Sequence, residues 1–326
     1  MLSCRQQSLP IDDVEHSKVG MQRSFGKAVW TAASLLLLPL SGCGAVNKMA
    51  ANSVTDMMES TAEVWSSGDD PEFVCQSIPF ALSTVEGLLT KQPESGRLLL
   101  NATQGFAQYA YVCVETDAIL VEDEDYERSK QQLERALNLF LRAKRYGMRG
   151  LELADPGLEE RLLVDPEGAV AGTNLEDVSL LYWTAAAWGA AISRGRDRPD
   201  LIADLPAVIA MMERVLELDE TFRDGTIHDV FIMLRGLPAS MGGSPEEARR
   251  HFDRALELNG GRLAGTYATY ATSVMLPEQD RERFEQLMLE ALAIDPDEDP
   301  RHRLENLIAQ KRARYMLDHV EDYFVE

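Results

Sequence analysis

The sequence predicts an all-α protein, an α-solenoid of helix pairs stacked side by side. Three observations predict it. The alanine, leucine, glutamate and arginine content favours helix. Apolar residues recur every three or four positions in segment after segment, which gives a helix one buried stripe. Several of those segments resemble one another, and no segment shows the clear apolar–polar alternation of a strand.

In chain order, residues 44–70 read as a polar tether and 71–326 as the helical domain. "SIPFALSTVEGLLTKQP" offers Ser77 as an N-cap with Pro79 in the first turn, and sets Leu82, Val85 and Leu89 on one face. "LLLNATQGFAQYAYVCVETDAIL" carries Leu98, Ala102, Phe106, Tyr109 and Cys113 at helical spacing. A third helix is expected from Asp125 to about Gly147, with Leu133, Leu137, Phe140 and Leu141 on its apolar side and Gly147 as C-cap. Residues 151–174 hold two Asp-Pro pairs and several glycines, and predict one long irregular connection. Helical spacing resumes at Leu175, runs through "SLLYWTAAAWGAAIS", and restarts after Pro199 with "LIADLPAVIAMMERVLELDE". Segments near 225–237, 245–259, 262–275 and 279–294 follow, and a last helix from 300 to about 320 closes the chain.

The segments "EEARRHFDRALELN" and "DRERFEQLMLEALAIDP" align with Ala248 over Phe284, Phe252 over Met288, Ala255 over Ala291 and Gly260 over Pro296. This resembles the second helix of a tetratricopeptide repeat, in which a small residue, a large one, an alanine and a helix-ending residue recur at fixed offsets. Small residues let paired helices approach, and the large one fills the groove between them. "LPAVIAMMERVLELDE" and "SKQQLERAL" are weaker copies. Such pairs bury their faces only by stacking on neighbours.

Ahead of the helical domain, the run from Ala28 to Leu40 is too short for a membrane-crossing helix, which needs roughly twenty residues. Arg23 and Lys27 precede it, and Leu40-Ser41-Gly42-Cys43 follows. Together these resemble a bacterial lipoprotein signal peptide with its lipobox over residues 1–43. The resemblance implies lipidation of Cys43, and Gly44 after it implies sorting to the outer membrane. The acidic residues Asp12, Asp13 and Glu15 fit a signal poorly, which favours Met21 as the true start.

The net charge of −22 repels phosphate backbones and argues against nucleic acid as a partner. Outside the leader, the cysteines are Cys75 and Cys113. About eighteen residues separate Cys75 from the turn at Pro93 and about twenty separate that turn from Cys113, so on antiparallel helices the two come level. They are a disulfide candidate or two buried thiols.

The strings "SIPFALSTVEGLLTKQPESGRLLLNATQGFAQYAY", "RALNLFLRAKRYGMRGLE", "LYWTAAAWGAAIS", "LPASMGGSPEEARRHFDRALELNGG" and "RLENLIAQKRARYMLDHVEDYF", in this order, resemble the T-component family of tripartite ATP-independent periplasmic (TRAP) transporters. The resemblance implies a periplasmic lipoprotein of cryptic tetratricopeptide-like helix pairs that forms a homotrimer with a pore through each protomer. It also implies pairing with a substrate-binding P-component and relay of a small hydrophobic or organic-acid ligand. An open solenoid groove that binds protein segments of outer-membrane assembly machinery is the alternative.

Candidate pore residues are the aromatics Tyr182, Trp183 and Trp188, set among small residues, together with His228, Tyr267 and Tyr270. Each has a plainer reading as core packing. Enzymatic signatures are missing from the sequence: it holds no HExxH, no GxSxG and no GxxxxGK[ST]. The carboxylates interleaved with arginines, as in "EEARRHFDR", read as solvated ion pairs. The expectation is therefore a non-enzymatic chain without cofactor or metal.

Overall fold

The computed structural model describes residues 56–57 and 60–325. The lipobox, Cys43 and most of the segment read as a tether lie outside these residues. The described chain is helical, and no strand occurs among the described residues.

Residues 60–66, within the stretch read as tether, are helical. The first long helix, α1 (Pro71–Leu89), starts where Asp70 caps the amides of Glu72 and Phe73. It begins six residues before Ser77, whose hydroxyl instead donates to the Phe73 carbonyl, and Pro79 lies inside it. Helix α2 (Gly96–Gln108) is capped by Ser95 and runs on through a π-helical stretch, Tyr109–Glu115, into Thr116–Leu120. Helix α3 (Tyr126–Ala154) is capped by Asp125.

Gly147 does not end α3. It lies at a close crossing, where a Cβ would collide with Thr184 Oγ1 and come within 3.0 Å of Thr103 Cγ2. Gly150 repeats the contact three residues on, against Leu180. The glycines thus let α3 pass tightly over α2 and α4 (Val178–Arg194). The expected irregular connection is also partly helical, with turns at Leu158–Leu162 and Pro166–Val170 that bury Leu158, Leu162 and Val170. Each Asp-Pro pair starts a turn rather than breaking structure: Asp165 caps the Gly168 amide with Pro166 in the first position.

The remaining long helices are α5 (Leu205–Leu218), α6 (Ile227–Arg235), α7 (Pro245–Asn259), α8 (Ala264–Tyr270, continued by a π-helical Ala271–Met275), α9 (Arg281–Ala293) and α10 (Arg303–Asp318). Gly260, in the left-handed region at φ 64°, closes α7. Ala248, Phe252 and Ala255 of α7 and Phe284, Met288 and Ala291 of α9, the positions the internal alignment superposes, are all buried.

Neighbouring helices pack in chain order: α2 on α3, α3 on α4, α4 on α5, α6 on α7, α8 on α9, α9 on α10. Alternate helices also touch, α2 with α4, α6 with α8 and α8 with α10. The last helix then returns to the first part of the chain, packing on Thr116–Leu120 and on α1. Leu304 and Ile308 of α10 join the core formed by α1–α6, while Ala309, Ala313 and Phe324 join the core of α7–α9. Polar contacts fix this return: Tyr315 Oη donates to Asp123 Oδ2 at 2.5 Å, and Arg303 donates to the Ser67 carbonyl at 2.8 Å.

Candidate functional site

Polar and charged groups gather at the beginnings of α4, α6, α8 and α10, around the turn Phe222–Gly225 that joins α5 to α6. Its backbone is the most strained in the described chain. Arg223 (φ 51°), Asp224 (φ 55°) and Gly225 (φ 82°) take left-handed conformations in succession. A non-glycine residue there costs on the order of 1–2 kcal/mol, and persists only where surrounding contacts over-determine it.

Those contacts are clear. Asp224 Oδ2 lies 2.8 Å from His302 Nε2 and 3.7 Å from Arg301. Arg223 stacks over the Trp183 ring at 5.1 Å and reaches Glu305 Oε2 at 3.4 Å. Tyr182 packs edge-on against Trp183 and Phe222, both at 5.2 Å, with its hydroxyl 3.5 Å from Thr226 Oγ1. Asp229, on the first turn of α6, accepts from Thr266 Oγ1 at 3.2 Å, while its Oδ1 is buried without a partner.

The electrostatics follow from this crowding. Burial, with Glu305 adding to it, raises the Asp229 carboxyl to about 7, so it is half protonated near neutrality. Burial also pushes against ionisation of Glu305, but His302 and Arg223 outweigh it and hold that carboxyl below its ordinary value. Glu305 and Asp224 in turn raise His302. Its Nδ1 is 3.6 Å from Glu305, beyond hydrogen-bond length, so this pull is through charge. Burial raises the Tyr182 phenol. Although burial is the largest influence on Glu305, 46% of its side-chain surface is accessible. Close packing does not enclose it.

Further along, α2, α4 and α10 converge on one carboxylate. Glu115 receives Arg312 at 3.2 Å and Arg194 at 3.4 Å. Arg312 also stacks over the Tyr111 ring at 4.6 Å. Glu305 and Arg312 are two turns apart on α10 and so share a face, separated by about 10 Å of helix rise.

A third cluster joins α6 to α7. His228 Nδ1 and His251 Nδ1 are 2.8 Å apart, and His251 stacks on Phe231 at 4.9 Å. His228 Nε2 lies 3.3 Å from Glu220, which Arg254 holds through two bonds of 2.8 Å. His228, His251, Glu247, Arg250 and Arg254 surround a hollow of about 400 Å³. Among the described residues no group of three His, Cys, Asp or Glu is arranged to hold a metal ion.

Of the residues singled out from sequence, Tyr182 and Trp183 belong to the strained-turn cluster and His228 to the histidine pair. Trp188 is fully buried, with its indole N–H donating to Asp204 at 3.2 Å and Lys144 over its ring at 3.7 Å. Tyr267 and Tyr270 pack on Phe252, the latter stacked at 4.4 Å. Cys75 and Cys113 form a disulfide with their Cα atoms 5.6 Å apart. Sequence reasoning missed Glu115, Arg194, Arg223, Asp224, Asp229, Glu305 and Arg312, because charges on helices read as solvated pairs. Two signals were available: Glu115 ends an apolar run, "YVCVE", and "FRDG" is a turn sequence between helices.

Comparison with known proteins gives this arrangement a family. The profile described as "TRAP transporter T-component" matches residues 67–324, nearly all of the described chain. The chain belongs to the TRAP transporter T-component family. A relative in Treponema pallidum (strain Nichols), described as an uncharacterized protein, is 29% identical over 271 residues, covering 81% of this T-component chain and 83% of the relative. No helix among the described residues is long and apolar enough to cross a membrane.

Proposed function

We propose that this T-component is a non-enzymatic subunit of a TRAP transporter that holds a small hydrophobic or organic-acid ligand inside a closed α-solenoid and exchanges it with a substrate-binding P-component. Family membership supports the transporter role. The observation that supports an open interior is Glu305, whose carboxylate feels the crowding of neighbouring helices yet keeps nearly half its side-chain surface accessible. The return of α10 onto α1 and Thr116–Leu120 supports an array closed around that interior. Tyr182, Trp183, Asp229 and Glu305 would line it at one end, with Arg194 and Arg312 further along.

In this reading the chain is periplasmic, tethered through lipid on Cys43 to the outer membrane, and assembles as a homotrimer. Two or more acyl chains suffice for stable anchoring, at about 0.8 kcal/mol per buried methylene. Co-purification from the native host tests the partner: a periplasmic binding protein should elute with the T-component. Native mass spectrometry of the same material should show three copies and a retained small molecule. A strictly monomeric, ligand-free protein without such a partner would count against the proposal.

A further inference from the structure

The groups around Glu115 do not balance. Two guanidinium groups, Arg194 and Arg312, share a single carboxylate whose side chain is 5% exposed. Against the pull of burial, the carboxylate charge that favours the Arg312 cation near neutral pH is that of Glu115. One positive charge is left over inside a chain whose net charge is −22. Both guanidinium groups are partly accessible, so the unshared charge is open to an ion of opposite sign. Arg312 Nη1 is buried and donates to no protein acceptor, so Glu115 does not saturate the guanidinium fork.

The site is also reachable. The Arg312 and Arg194 side chains keep 19% and 32% of their surface, and Tyr111, stacked on Arg312, keeps 44%. Tyr111 and Glu115 both sit on the π-helical stretch Tyr109–Glu115. Such an irregularity widens a helical turn and is frequent at functional sites. Planar guanidinium forks match a carboxylate's two oxygens, and the exposed tyrosine ring offers an apolar surface beside them.

We propose that Arg312 and Arg194, converging on Glu115 beside Tyr111, form the binding site for the carboxylate of a small organic anion with an apolar body. This rests on the open-interior reading above and specifies its ligand. Glu115 is then an internal competitor, holding the two arginines in place until the ligand carboxylate takes up the unshared charge.

The test titrates the full chain with carboxyl-13C benzoate, benzyl alcohol, benzylamine and inorganic phosphate, followed by carbon NMR or calorimetry. Benzoate should bind at least tenfold more tightly than benzyl alcohol or benzylamine. R312Q and R194Q should each weaken benzoate at least tenfold and leave benzyl alcohol unchanged, while E115Q should strengthen benzoate. R312Q also loosens α10 from α2, so R194Q and E115Q carry the test if R312Q does not fold. Benzoate binding that ignores all three substitutions overturns this site but leaves an open, ligand-holding interior intact. Phosphate competing as well as benzoate overturns the carboxylate assignment. Failure of every organic probe to bind overturns the site together with the ligand-holding reading.

Discussion

Asp229 shows how much one position differs from its appearance in the sequence. Beside His228 in "GTIHDVF" it looks like a surface helix residue, since neighbours on a helix do not face each other. In the fold its carboxyl is raised to about 7, against an ordinary value of 3.8. A carboxyl with a raised native pKa binds its proton more tightly folded than unfolded. Its contribution to stability is therefore full below about pH 4 and is lost as pH rises through 7. Asp229→Asn, which keeps a polar partner for Thr266 and cannot ionise, should melt at a higher temperature than wild type at pH 8. At pH 4 the two should melt together, and thermal denaturation at both values checks this.

Between elements, the contacts that matter are side chains tying one helix to the next. The Cys75–Cys113 disulfide ties α1 to the π-helical continuation of α2 across a sequence separation of 38. Closing a loop of that length stabilises by about 2–4 kcal/mol, so the double substitution to serine should lower unfolding free energy by about that much in denaturant melts. The His228–His251 pair ties α6 to α7 and responds to acid. Burial and the His228 charge lower His251 to about 4, and burial lowers His228. A histidine with a depressed native pKa stabilises above its unfolded value of 6.5, and this is lost as pH falls through its native value. Glu220, held near 2 by Arg254, adds a later loss between about pH 4.5 and 2. His251→Gln should therefore flatten the fall in stability between pH 6.5 and 4, leaving the lower limb in place, as a series of melts across that range would show.

For the whole molecule, the decisive feature is the return of α10. Its Leu304 and Ile308 complete the core of the first helices and its Ala309 and Ala313 that of the last. Removing residues 303–325 should therefore destabilise both ends of the chain. Hydrogen exchange should show lost amide protection in α1 and Thr116–Leu120, far away in sequence, as well as in α8 and α9. Protection lost only in α8 and α9 would mean that the return of α10 adds little to the stability of the first helices.

Much of this was legible in the residues. Helix content, the α7 and α9 repeat positions and the level placement of the two cysteines all follow from apolar spacing and helix rise, which are local properties. Helix ends were less legible. Ser77, Pro79 and Gly147 are ordinary punctuation marks, but Asp70 caps α1 earlier, and Gly147 is small because two other helices press on it. Of the candidate site, the sequence pointed to Tyr182 and Trp183 in the strained-turn cluster and to His228 in the histidine pair.

The sequence by itself determined an all-α chain of paired helices, because burying one stripe per helix is a demand each segment states alone. Only the tertiary structure decided which charges face inward and which share a partner. Whether Glu115 meets one arginine or two, and whether Asp229 keeps its proton, depends on helices brought together from far along the chain. Electrostatic energy depends on distance and on the surrounding medium, and neither is fixed until the helices have packed.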